Sequence, residues 1–417
     1  MRAIGSKITA LPAEQSPLAR QINPNNNDME NSNIEIKPSA VTTVVTGAAK
    51  PATGKTIEEN GKACGKPRFV IDSKAVINGK SGFSKKLLCD GLTFTAGQGC
   101  AYSCTFCYVP SALKSNVGLK LFRDERKLTA QDMCIEIKDA AKKVRAYLTN
   151  NGQPKFNDPN DTRVIYGSPL VDIAATMDQV RETVEICKAI LELTHWQIRL
   201  LSKSSFLKQV AEQIPAQYKD RVIYGVSTGT LDSKLAASFE KGTALVSKRL
   251  ETLKWLQDNG YRTFAMVCPI LPQKDYAAFA KQMAAKIDLD KCEHVWAEPI
   301  NLRGDSLTAT AKALREAGYK DEADLLEKVM NDKPEWEKYA RNTFEALEAV
   351  VPANKLRFLQ YVSKSNLAWW TEREAKGAVL LKHAPSKKRK KGVAKTEPLL
   401  ANPPNGNNEN PDFISKH

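Results

Sequence analysis

A chain of 417 residues, 42% of them hydrophobic, can bury two or three average domains, or one large barrel flanked by tails. No apolar run approaches the ~20 residues of a membrane helix, and the N-terminus MRAIGSKITALPAEQ lacks the compact apolar core of a secretory signal, so membrane-spanning and secreted classes are set aside. The formal net charge of +15 points to an anionic partner, nucleic acid first.

Residues 1–62 are rich in Asn, Pro, Thr, Ala and Lys and show no sustained period. That composition does not bury enough surface to offset its ordering entropy, and it predicts a disordered N-terminal segment. Arg2, Lys7 and Arg20, with few acids nearby, keep an organelle transit peptide as the alternative to a cytoplasmic location. The stretch GAAKPATGKT ends like a phosphate-binding loop, but the motif's first glycine falls on Ala49 and no apolar strand precedes it, so it is discarded.

GLTFTA (91–96) reads as a first strand and leads straight into GQGCAYSCTFCYVP (97–110). TRVIYGS (162–168) is a second, followed by a helical pattern over 177–193, and WQIRLLSK (196–203) is a third, followed by SFLKQVAEQI. RVIYGVST (221–228) is a fourth, before a helix for which Gly260 is the stop signal. YRTFAMVCPIL (261–271) is a fifth, with YAAFAKQMAAKI behind it, and EHVWAEPI (293–300) is a sixth. Strands alternating with helical patterns predict an α/β fold of repeated βαβ units with a parallel sheet. Six of them predict a partial (β/α)6 TIM-type barrel over residues 63–304. In such barrels the chemistry sits at the C-terminal strand ends. Here those ends carry Cys100, Gly167-Ser168, Ser202-Lys203, Ser227-Thr228, Cys268-Pro269 and Glu298 to Asn301.

Residues 305–382 read as a helical C-terminal extension with a break at Pro334, its segment KLRFLQYVSKSNLAWWTERE packing over the open side of the barrel. Trp369-Trp370 in that segment reads as core or interface, with base stacking as the alternative. From 383 onward the chain is again disordered in pattern. Residues 376–417 hold nine Lys and Arg against three acids, and SKKRKK (386–391) either keeps the tail solvated, grips phosphates or serves as a localisation signal.

The nine cysteines form an odd set without disulfide-scaffold spacing, so in a chain with no export signal they are expected to be reduced. Cys64, Cys89 and Cys134 are too scattered for a cluster of their own, but Cys100, Cys104 and Cys107 fall within eight positions. Structural zinc wants four ligands, usually as two C-x2-C pairs. Cys104 and Cys107 supply one pair, Cys89 is the nearest fourth thiol, and His195 and His294 are distant in sequence. A C-x3-C-x2-C run suits a cubane [4Fe–4S] cluster instead. Three thiolates then leave one iron open, which marks a catalytic site. A zinc-stapled, non-catalytic nucleic-acid-binding protein that uses Cys89 is the alternative.

CAYSCTFC has an aromatic, Phe106, just before its last cysteine and follows a first strand in a βα series. In this it resembles the radical S-adenosylmethionine enzymes. GSPLVD, LLSKS, VSTGTLDSKLAASFEKGTALVSKRLETLKWLQDNGYRTFAMVCPILP and HVWAEPI resemble, in order, segments of the spore photoproduct lyase and DNA-photolyase-like branch, over roughly residues 88–303. The resemblance implies a [4Fe–4S] cluster on Cys100, Cys104 and Cys107, whose fourth iron chelates the amino and carboxylate groups of S-adenosylmethionine. It places Gly167 and Ser168 at the methionine amino group, Lys203 at the cofactor carboxylate, Ser227 near the ribose and Phe106 against the adenine. It also implies one electron from an external donor such as flavodoxin or ferredoxin, cleavage of the sulfonium C5′–S bond, and hydrogen abstraction by the 5′-deoxyadenosyl radical. The cofactor carries that chemistry, while the protein orients it and excludes water and oxygen.

Spore photoproduct lyases use a hydrogen-donating cysteine just after a Gly-Ser on strand two, and here that position is Pro169. Cys268, Tyr108 and Tyr166 are the alternative donors, with Cys268 and Tyr108 carried forward as the hydrogen relay. The crossover of 54 residues from Tyr108 to Asp161 is long enough to shape a different substrate pocket. The expected activity is hydrogen abstraction on DNA or another nucleic acid, for repair or modification, in a cytoplasmic protein without a membrane partner. A peptide, a tRNA or a metabolite is the alternative substrate.

Overall fold

The computed structural model describes residues 57–113, 123–129, 131–167, 169–301 and 305–382. The N-terminal segment through residue 56, the basic tail from residue 383 and Ser168 lie outside the described residues. Eight parallel strands follow one another across a single sheet in chain order. They are β1 (Leu92–Phe94), β2 (Val164–Gly167), β3 (Gln197–Ser202), β4 (Val222–Ser227), β5 (Arg262–Ile270), β6 (Cys292–Pro299), β7 (Leu356–Val362) and β8 (Ala378–Lys382). All six strands expected from the sequence are present, and their register sets Phe94 beside Gly167, Gly167 beside Leu200, Ser202 beside Val226 and Ser227 beside Met266. The C-terminal strand ends therefore share one rim.

The alternation within each strand explains how the sheet is covered. Ile165, Ile198, Leu200, Val222, Tyr224, Val226, Val267 and Val295 point to one face, where they pack with Val180, Val184, Cys187, Leu253, Met283 and Phe344 of the helices. With strands in sequential order and right-handed crossovers, the helices stay on that face. Tyr166, Ile223, Phe264, Met266, Trp296, Leu359 and Leu381 point the other way and converge on Phe83, Leu88 and Cys89. The segment just before β1 is thus a plug. Trp296 Nε1 donates to the Lys86 carbonyl (2.8 Å), and Arg199 donates to the Leu88 carbonyl (2.8 Å). Trp296→Phe keeps most of the ring volume but removes the first bond, so unfolding stability should fall by about 1–2 kcal/mol, read as a lower denaturation midpoint.

The sequence reading is corrected at three places. In place of six barrel strands the sheet has nine, eight of them parallel. Its hydrogen-bonded order runs from β8 to the antiparallel pair Ile77–Asn78 beyond β1, with no strand pairing that closes it among the described residues. The stretch 305–382 is helical at Ser306–Glu316, Lys320–Asn331 and Lys333–Glu348, but then supplies β7 and β8. LRFLQYV and AVLLK are short apolar runs, which periodicity alone does not separate from buried helix. Trp370 is fully buried and stacked on Phe358 (5.6 Å between centroids), so it is core, while Trp369 is half-buried beside it with its ring against the Arg373 and Arg341 guanidinium groups. What packs near the rim is instead the pair of helices 306–331, whose Leu307, Ala311 and Leu326 form a second core with Phe239, against which Phe106 rests.

The third correction concerns residues 57–62, expected to be disordered. Ile57–Ala63 is a strand, joined to Lys66–Ile71 through Cys64-Gly65, both at positive φ (50° and 82°), the geometry of a tight two-residue hairpin turn. IEENGKA has little strand propensity of its own. Its order comes from a partner strand that buries Phe69 and Ile71. Lys66–Ile71 pairs in turn with Cys134–Ile137, which pairs with Gly97–Gly99. The long crossover therefore contributes a strand to a small second sheet that ends at the three cysteines. No helix among the described residues is long and apolar enough to cross a membrane.

Candidate functional site

The cysteine loop leaves β1 through Gly97–Gly99, whose backbone runs hard against its neighbour. A Cβ on Gly97 would sit 2.4 Å from the Ile135 carbonyl oxygen, so only glycine fits. The loop then turns back at Ser103–Cys104, which pairs with Glu240–Lys241. Thr105 N donates to Phe239 O (2.9 Å), Gln131 Nε2 donates to Cys104 O (2.6 Å), and Cys107 N donates to the same carbonyl (3.2 Å). Backbone N–H groups of Tyr102 and Asp172 both point at Cys100 Sγ (3.4 Å each), and that of Val109 bonds Cys107 Sγ. A neutral thiol is a weak acceptor. Several N–H groups aimed at sulfur suit thiolates that carry charge.

Burial pushes the free Cys100 thiol up to about 12, with Asp172 adding to the effect, and burial raises Cys104 and Cys107 as well. A metal must therefore displace the protons, which couples its binding to pH. Cys134 joins Cys104 in the same buried group, and Cys100, Phe106 and Cys107 pack against it. Among the described residues no three His, Cys, Asp or Glu side chains converge as a set for a single metal ion. A cubane takes its thiolates on different irons and does not require them to meet at one point. The zinc alternative needed Cys89 as a fourth ligand. Cys89 instead lies before β1 in the plug, among Phe83, Leu88 and Tyr166, and is not part of this group.

Behind the loop stands a charge network. Glu240, the partner of Cys104 in the short strand pair, bridges Lys203 Nζ (2.7 Å) and Arg249 (2.6 Å), and both Glu240 and Arg249 are almost fully buried. Arg249 also donates to the carbonyls of Ala244 (2.8 Å) and Ser227 (3.0 Å). Lys203 Nζ reaches the Cys268 carbonyl (3.1 Å) and lies 5.5 Å from the centre of the Phe106 ring. Ser227 Oγ donates to that same Cys268 carbonyl (3.2 Å). Asp172 is buried too, and its carboxylate accepts from Ser202 Oγ (2.6 Å), Lys203 N (2.7 Å) and Ala174 N (3.0 Å). Burial raises its pKa despite these donors.

The structure therefore brings Phe106, Lys203, Ser227 and Cys268 together with the loop through Glu240. Gly167 is close to Phe94 and Leu200, where a Cβ would meet Leu200 Cδ2 at 2.6 Å. Tyr108 donates its hydroxyl to the Pro169 carbonyl, and Tyr166 faces the plug. On the face covered by the plug, Cys268 Sγ lies 3.9 Å from Glu298 Oε2, and Glu298 pairs with Lys86 (3.0 Å) and accepts from Asn301 Nδ2 (2.6 Å). Asp172, Glu240 and Arg249 were missed by sequence reasoning, although all lie inside the segments that carried the resemblance. A buried carboxylate is not marked by any local pattern. Lys66, Lys86 and Gln131 lie outside those motifs and reach the site only through tertiary packing.

No family model and no curated protein sequence matches the chain. Solved structures similar to it include those of spore photoproduct lyase and of SuiB. One lyase structure, complexed with a dinucleoside spore photoproduct, is 14% identical with a TM-score of 0.42, covering 59% of this chain and 66% of that one. Another, a mutant with bound AdoMet and the same kind of dinucleoside, is 13% identical with a TM-score of 0.38, covering 54% and 61%. Streptococcus suis SuiB bound to precursor peptide SuiA is 10% identical with a TM-score of 0.29, covering 57% and 46%. The chain spans less than two thirds of the length of these proteins, and the likeness is partial in geometry as well.

Proposed function

We propose that this chain is a radical S-adenosylmethionine enzyme, with a [4Fe–4S] cluster on Cys100, Cys104 and Cys107 and S-adenosylmethionine at the iron that has no protein ligand. One observation carries this reading: a C-x3-C-x2-C loop at the rim of a parallel sheet whose sulfurs already receive backbone N–H groups. When bound, the cluster and cofactor supply one electron and a 5′-deoxyadenosyl radical that removes a hydrogen atom from substrate.

The chain's own residues orient and protect. Lys203 spends two of its three donors on Glu240 and Cys268 O, so one remains for the cofactor carboxylate. Phe106, held edge-on to Phe239 at 5.9 Å, offers a face for the adenine, and Ser227 stands at the ribose position. By sequence, Gly167 and Ser168 match the family's methionine amino-group positions and are assigned that contact. Cys268 is the hydrogen donor of choice. Burial, with Glu298 nearby, pushes its thiol up to about 12, so it keeps the S–H bond that donation requires. Tyr108, held at Pro169, is the second member of the relay. The net charge of +15 supports a nucleic-acid substrate, for repair or modification, in a cytoplasmic enzyme served by a flavodoxin or ferredoxin.

Anaerobic reconstitution followed by iron, sulfide and zinc assays tests the first step. Reductant and S-adenosylmethionine are then added with DNA, RNA or peptide, and 5′-deoxyadenosine is measured. Iron and sulfide near four per chain, with product enhanced by DNA or RNA, is the expected result. Zinc without sulfide, and no product, overturns the chemistry; product enhanced by peptide alone overturns the substrate class.

A further inference from the structure

Lys66 is a buried ammonium in an unusual setting. It is 8% exposed, and its Nζ donates to the carbonyls of Cys100 (3.1 Å) and Tyr102. Among the described residues its hydrogen-bond partners are those two carbonyls, and no carboxylate figures among the groups that shift its pKa. By contrast, Lys86 has Glu298 at 3.0 Å and Lys203 has Glu240 at 2.7 Å. Taking a cation out of water costs several kcal/mol unless an anion compensates. The groups around Lys66 that could supply one are thiols: burial lowers the Lys66 pKa, and Cys100, Cys134, Cys104 and Cys107 act against that shift.

This placement is built by the small second sheet. Lys66 begins the strand that pairs Arg68 with Cys134, and Cys134–Ile137 pairs onward with Gly97–Gly99, the lead-in to the cysteine loop. The sheet has no part in the series of eight parallel strands. Its pairing delivers one positive charge to the back of a loop whose three thiols become anionic thiolates when they hold iron.

We propose that Lys66 is the counter-ion of the iron–sulfur cluster, a positioning residue that clamps the loop by two carbonyls and raises the cluster's reduction potential by its charge. The inference rests on the cluster reading above. Cluster potentials respond to net charge, hydrogen bonding and solvent exposure. A cation held against thiolates favours the reduced, more negative state. Cys134, not on the loop, then packs beside the charge and is not required as a ligand.

The test compares the reconstituted full-length protein with Lys66→Gln and Lys66→Arg, by iron and sulfide content and by the midpoint potential from EPR-monitored titration. Gln can still donate to a carbonyl but carries no charge. Lys66→Gln should load cluster and titrate at a lower potential than the parent, with Lys66→Arg returning most of the way. Parent potential in a fully loaded Lys66→Gln overturns the proposal, as does an upward shift. If Lys66→Gln takes up no cluster, Lys66→Arg decides: loading at a near-parent potential supports a need for charge, while an equally empty Arg variant overturns it. A parent that itself takes up neither iron nor sulfide removes the cluster reading and this inference together. A loaded parent with an unmoved variant removes only this one.

Discussion

Cys104→Ala should bind no [4Fe–4S] cluster and form no 5′-deoxyadenosine, a complete loss in both measurements, while Cys89→Ala and Cys134→Ser should retain both. The three substitutions are similar in size and all fall on buried thiols, so packing loss alone does not separate them. What separates them is position. Cys104 stands on the loop that pairs with Glu240–Lys241, Cys89 in the plug before β1, and Cys134 on a strand beside the loop. A cubane with two protein thiolates has lost a third of its anchorage and leaves a second iron without a protein ligand. The Cys104→Ala chain should still fold, because the loop is held by main-chain bonds that do not involve the sulfur: Thr105 to Phe239, Gln131 to Cys104 O, and Cys107 to Cys104 O. Circular dichroism and the thermal midpoint check that point. Retained iron in Cys104→Ala with loss in Cys134→Ser would mean that the ligand set is drawn from the strand and not from the loop.

The parallel sheet was legible because short β-branched runs and their alternation with helical patterns are local properties. All six strands between Leu92 and Pro299 follow from them, and so does the rim that carries Cys100, Lys203, Ser227 and Cys268. β7 and β8 were not legible, since seven- and five-residue apolar runs beyond three helices give no period to decide on. The strand Ile57–Ala63 was hidden for a different reason. Its residues look unstructured, and only the partner Lys66–Ile71 gives them order. At the site the same divide holds. Thiols at fixed spacing announce themselves in sequence, but the charges that support them come from Lys66, Glu240 and Arg249. Lys66 is 34 residues before Cys100 in the chain and reaches its carbonyl through the second sheet. Glu240 is brought beside Cys104 by strand pairing, and Arg249 joins through its ion pair with Glu240.

Glu240→Gln should destabilise the protein by about 3–5 kcal/mol, the cost of leaving buried charges uncompensated. Glu240 pairs with Lys203 through one oxygen and with Arg249 through the other, and Glu240 and Arg249 side chains are each only 1% exposed. Glutamine keeps the shape but carries no charge, so Arg249 keeps its carbonyl and hydroxyl partners yet loses its anion. The loss should also reach the cluster loop, because the same residue pairs with Cys104 in the main chain and its side chain fixes Lys203 beneath Phe106. A lower urea midpoint, together with weaker S-adenosylmethionine binding in the reconstituted protein, is the expected pattern. Arg249→Met in the Glu240→Gln background then supplies the control. Removing the stranded guanidinium should recover part of the stability, since an apolar side chain of similar length costs less there than an unpaired cation. It should not restore cofactor binding, because Lys203 still lacks the carboxylate that holds it. Equal recovery of both would mean that Glu240 serves stability alone and that Lys203 finds its place without it.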